Sequence, residues 1–179
     1  MRIKSLIRFN LSMLVIIGLL FANIPNAIAQ DGTSGEEYIG QVSVSTSKSL
    51  PAPKSILNLI LPLANQPLPS GGTATATAGL AWIASRMDGI ARSSLSADTV
   101  GTYNLCARVI QLYMNSAPQG GYKTPTCGDR IAGGSVSQTK SKIVASVFGK
   151  TWQVKTDHTF LNNNTGWSWY TPNSTSATP

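Results

Sequence analysis

The chain has 179 residues, with 14 basic against 7 acidic side chains, two cysteines and a single histidine. The basic residues form no run, which argues against nucleic acid as partner, because nucleic-acid binders gather charge into a patch or stripe. With one histidine, a four-ligand zinc site would need carboxylates as well, and a hydrolase triad would have no second base to choose from.

Residues 1–29 have the three parts of a cleavable signal peptide. Arg2, Lys4 and Arg8 come first, Met13–Ala22 is apolar, and Ala27-Ile28-Ala29 after Pro25 offers a peptidase site. The apolar run is short for a membrane anchor, which needs roughly 20 residues. No later run is longer, so no transmembrane segment is expected after cleavage. The protein is expected in the periplasm or outside the cell. Removing Arg2, Lys4 and Arg8 leaves 11 basic against 7 acidic groups, a net charge of +4. The remaining chain is long enough for one domain with its own core.

Residues 30–78 read as a polar, proline-rich leader. Within it Tyr38–Val44 alternates as a short strand, with Val42 and Val44 on one face. The stretch 55–63 is the most apolar of the exported part, carrying Ile56, Leu57, Leu59, Ile60, Leu61 and Leu63 around the helix-breaking Pro62. It reads as a core segment or as a docking segment for a partner. The Thr-Ala repeat at 73–78 reads as a low-complexity connector.

Residues 79–170 are expected to form the globular domain. Leu80, Ile83, Ala84, Met87, Ile90 and Ala91 recur at helical spacing. A second helix, capped by Ser96 or Asp98, would carry Val100, Tyr103, Ala107, Ile110 and Met114 on one face, widened by Leu105, Val109 and Leu112. Cys106 would then lie in mid-helix. A disulfide to Cys127 is expected in an oxidising compartment. Closing that loop stabilises by roughly 3 kcal/mol on the chain-entropy estimate.

The last third turns strand-like. Ile143–Phe148 and Thr151–Thr156 flank a tight turn at Gly149-Lys150, and Asn162–Gly166 supplies a second turn. Trp167, Trp169 and Tyr170 continue as a third strand, and 171–179 is expected to be a disordered tail. The fold class that follows is α+β: two amphipathic helices packed on a small C-terminal antiparallel β-meander, with one disulfide.

Chemistry-bearing groups are sparse. On a strand, Asp157 would face away from His158, so it could not orient it. No Gly-x-Ser-x-Gly elbow and no phosphate-binding glycine loop occurs. No catalytic residue, metal ligand set or cofactor site is assigned. The aromatic cluster Trp152, Trp167, Trp169 and Tyr170 reads as a ligand or partner surface if exposed, and as core if not. Three functions are carried forward. The first is an exported non-catalytic protein contacting another envelope or surface protein, as an accessory of a secretion, conjugation or pilus apparatus. The second is a carbohydrate- or cell-wall-binding module using the C-terminal tryptophans. The third is a small hydrolase built on His158.

Overall fold

Alternation with period two runs through most of the described residues, and it is what the structure obeys. The structure is a computed structural model that describes residues 37–52 and 71–179. These residues fall within one compact unit, Glu36–Pro179. They form nine strands: β1 (Gly40–Ser49), β2 (Thr73–Ile83), β3 (Arg86–Leu95), β4 (Tyr103–Met114), β5 (Ala117–Pro118), β6 (Thr126–Arg130), β7 (Ser135–Ile143), β8 (Trp152–Leu161) and β9 (Ser168–Ala177). One sheet runs β1-β2-β3-β7. The other runs β5-β4-β8-β9, with β6 also paired to β4. Every pairing is antiparallel.

The two sheets face each other as a β-sandwich, the layer solution open to a chain of amphipathic strands. The Thr-Ala repeat shows the principle at its simplest. Ala74, Ala76 and Ala78 are fully buried, while Thr73, Thr75 and Thr77 on the opposite face are half-buried. Leu80, Met87, Ala91 and Leu95 continue the inner face of the first sheet. Tyr103, Leu105, Ala107, Val109, Leu112, Trp152, Val154 and Phe160 supply the second. Gly89 lets the layers close, since a Cβ there would stand 2.9 Å from Val154 Cγ2 and 3.2 Å from Leu112 Cδ1.

The expected α+β class is overturned, because both expected helices are strands and the described residues contain no helix. Leu80–Ala91 is the β2–β3 hairpin. Ile83 and Arg86 flank its turn, so the apparent helical stripe mixes inner residues (Leu80, Met87, Ala91) with the outward Ile90. Val100–Met114 is mostly β4, and here the cause of the misreading is local. The β4–β8 register shifts between Val109 and Gln111. Before the bulge the inner residues are odd-numbered (Tyr103, Leu105, Ala107, Val109), and after it Leu112 takes over. A bulge that switches parity turns a period-two pattern into something resembling a helix apolar on two sides.

Four further expectations are corrected. Residues 73–78 are the start of β2 and no connector, and Thr171–Ala177 completes β9, so the tail is ordered by pairing with β8. The C-terminal strands are no simple meander: β7 belongs to the first sheet, and Val144–Phe148 crosses between the sheets. Cys106 lies on a strand, directly opposite Cys127 of β6 at a Cα–Cα distance of 4.1 Å, and the disulfide between them is present. The expected strand at Tyr38–Val44 corresponds to β1, with Val42 and Val44 on the same face. The signal-peptide segment 1–29 and the apolar segment 55–63 lie outside the described residues. Among the described residues no helix is long and apolar enough to cross a membrane.

Candidate functional site

One end of the sandwich carries a cleft of about 500 Å³. Three connections build its walls. The β8–β9 hairpin contributes Asn162, Asn164, Thr165, Gly166 and Trp167, the β3–β4 crossover contributes Val100 and Gly101, and Pro51-Ala52 follows β1. The hairpin keeps its shape through its own side chain. Asn162 Oδ1 accepts from the backbone N–H of Asn164 (3.0 Å) and Thr165 (3.1 Å), and its backbone N–H donates to Trp167 O at 2.8 Å. Gly166 adopts φ +71°, a left-handed conformation suited to glycine.

Two aromatic rings form the apolar floor. Tyr103 is 1% exposed and meets Trp167 edge-on, with ring centroids 5.9 Å apart at 83°. Lys48 Nζ stands 5.9 Å from the Trp167 ring centroid, a cation–π contact. Among the described residues no carboxylate lines the cleft; the lining side chains with polar atoms are Asn162, Asn164 and Thr165, with Tyr103 and Trp167. An apolar concavity with a few amide and hydroxyl groups is the usual constitution of a small-molecule site.

The structure divides the predicted aromatic cluster. Trp152 is fully buried at the opposite end of β8 and donates its Nε1–H to Val147 O at 3.1 Å. Trp169 is half-buried and stacks on Phe160, with centroids 5.0 Å apart and planes at 23°. Tyr170 is 60% exposed on the outer face of its sheet. Of the four, only Trp167 lines the cleft. The sequence places Tyr103 and Val100 on a helix face, and Asn162–Asn164 in a turn whose amides lie near the tryptophans. The usable signal for Tyr103 was the alternation Tyr103-Leu105-Ala107-Val109 in a run of strand-forming residues.

His158 is fully buried on the inner face of β8. Ser93 donates its one hydroxyl proton to Cys106 O at 2.7 Å, so its contact with His158 Nδ1 at 3.0 Å must be an N–H donated by the ring. The neutral ring then accepts on Nε2 from the Thr156 hydroxyl at 2.8 Å, in preference to that hydroxyl's longer contact with Asn173 O at 3.3 Å. Burial pushes the imidazole pKa down to about 4, opposed by the charge of Asp157. The ring is a neutral link in a hydrogen-bond chain joining β8, β3 and β4, closed off from solvent. Asp157 points to the other face, where Arg108 Nε donates to its two oxygens at 3.0 and 3.1 Å.

A second buried polar group sits on the outer face of the first sheet. Asp88, 2% exposed, accepts from Tyr38 Oη at 2.7 Å and from Arg86 Nε at 3.1 Å, both on Oδ2, while Oδ1 has no hydrogen-bond partner among the described residues. Among the described residues no three His, Cys, Asp or Glu side chains converge on a point that a metal ion would occupy. No protein family, no curated protein and no solved structure matches this chain. The class of protein is therefore given by the architecture alone: a disulfide-linked, two-sheet antiparallel β-sandwich with an aromatic cleft between the loops at one end.

Proposed function

We propose that the chain is an exported β-sandwich binding module that holds a carbohydrate ring in the cleft between Trp167, Tyr103 and the Asn162–Thr165 turn. The observation that carries this reading is an aromatic floor beside amide groups in a cavity of about 500 Å³ with no acidic lining among the described residues. A pyranose presents a C–H face that packs on an indole and hydroxyls that pair with amides. Pocket-lining aromatic rings that also carry a polar atom suit such a ligand. Export is supported by the residue pattern of 1–29 and, weakly, by the disulfide, which persists in oxidising compartments.

The reading is tested by titrating the exported protein with a panel of soluble glycans and peptidoglycan fragments while following tryptophan fluorescence and heat. Saturable binding, weakened at least about tenfold in Trp167→Ala and several-fold in Asn164→Ala, is expected from loss of the stacking surface and of one rim amide. Fluorescence unmoved across the panel, or full affinity retained in Trp167→Ala, would sink it. Asn164 is exposed, so its variant remains informative where the tryptophan variant fails to fold.

Two other expectations draw different support. A hydrolase on His158 is opposed by the full burial of that ring and of Ser93 beside it. A partner protein in the envelope is motivated by the export signal, the single disulfide, the lack of catalytic groups and the apolar 55–63, which lies outside the described residues. It keeps one structural support, the edge of β1 that no strand among the described residues covers.

A further inference from the structure

We infer that β1 pairs with β1 of a second copy of this chain, joining the two β1-β2-β3-β7 sheets into one eight-stranded sheet. The inference starts from how the other long edges are guarded. On β7, the outward carbonyls of Thr139 and Ser135 are taken by Lys123 Nζ at 2.7 Å and Arg130 Nε at 2.8 Å. The edge strand β9 contains Pro172, which removes a donor. β5 and β6 are two and five residues long. β1 is ten residues long, with no proline, no bulge and one charge, Lys48. Ser43–Ser49 are all exposed, and no strand among the described residues lies on their outer side. Such an edge is a template for another strand.

Its free groups are identified by parity. Leu50 N–H donates to Gly72 O at 2.9 Å, and on β2 the backbone of Thr73 faces Ser96 on the far side. Alternation then turns the even-numbered residues of β1 toward β2. The main-chain N–H and C=O of Gln41, Ser43, Ser45, Ser47 and Ser49 point outward. None of these groups has a partner among the described residues.

The occupant is a second copy because the strand is complementary to itself. A two-fold axis at Ser45 sets Ser43 opposite Ser47 and Gln41 opposite Ser49 of the copy, pairing outward groups with outward groups. On the inner face Val44, 39% exposed, meets Thr46, and Lys48 meets Val42, so the two ammonium groups lie at opposite ends. One isologous contact covers both open edges, whereas a foreign strand would cover only one.

The test is sedimentation equilibrium of the exported protein beside Ser45→Pro and Ser45→Lys. Proline deletes an outward donor that the β1–β2 ladder does not use. Lysine sets like charges against each other across the axis. A wild-type dimer is expected, with its dissociation constant raised at least about tenfold in both variants and the unfolding temperature of the monomer unchanged. Raising the salt from about 0.15 to about 1 M should restore Ser45→Lys, since screening shortens from about 8 to about 3 Å. It should not restore Ser45→Pro. A wild type that stays monomeric at every concentration, or a dimer indifferent to Ser45→Lys, overturns the inference. Ser45→Lys decides the matter alone if the proline variant does not fold.

Discussion

At the scale of single residues, His158 is held neutral by burial, and this has a measurable cost in acid. Its folded pKa, about 4, lies below the ordinary value of 6.5, so the unfolded chain takes up a proton first as pH falls. The stability this group leaves intact above pH 6.5 is lost progressively as pH drops through about 4. The loss amounts to about 3 kcal/mol at 1.36 kcal/mol per unit. Denaturant unfolding of wild type and His158→Gln across pH 7 to pH 4 should show the wild type falling more steeply by that amount. Parallel curves would remove the argument. Asp88 makes a similar case without titration: Tyr38→Phe withdraws a hydrogen bond from a buried carboxylate and should cost about 2 kcal/mol in the same assay. The tyrosine's own pKa is raised, by burial first and by the hydrogen bond to Asp88 second.

At the scale of elements, the β4–β5 hairpin and the disulfide are the informative places. Asn115 and Ser116 both adopt left-handed backbone, φ 49° and 66°, between Met114 and Ala117. This is the turn for which asparagine followed by glycine is preferred. Ser116→Gly should therefore raise the unfolding free energy by about 0.5–1 kcal/mol, read as a higher melting temperature. Cys106 and Cys127 tie the central β4 to the short β6, which has five paired residues and an exposed pattern. Replacing both cysteines by serine should cost about 3 kcal/mol while leaving β8–β9 intact, so cleft binding at low temperature should persist. Of these elements, the Asn162–Gly166 turn and the pairing of the two cysteines were legible in advance, because both depend on local chemistry or on counting. The strand character of β4 was hidden, because one bulged residue moved Leu112 onto the face that Val109 had occupied.

At the scale of the molecule, the core is a layer between two sheets whose neighbours are distant in sequence. β1 pairs with β2 across 53–70, and β3 pairs with β7 across the whole of β4, β5 and β6. Closing such loops before any contact rewards them slows folding, so refolding of the oxidised protein should occupy milliseconds to seconds by stopped-flow fluorescence. Trp152, fully buried between the sheets, is the natural reporter.

Composition, the n-region and apolar run of the first 29 residues, the cysteine count and the turn chemistry were all readable without coordinates, since each depends on residues close in the chain or on their number. The alternation in 73–78 was equally visible, but repetition of two small residues suggested a connector until a facing sheet gave Ala74, Ala76 and Ala78 something to be buried against. What only the tertiary structure decided was partnership. It separated Trp152, packed in the core, from Trp167, set at the rim of a cleft, and brought Tyr103 and Val100 to the same site. The physical reason is that a strand's periodicity states which residues share a face. Which sheet that face meets, and whether it closes or leaves a cavity, depends on pairings between segments that are far apart in the chain.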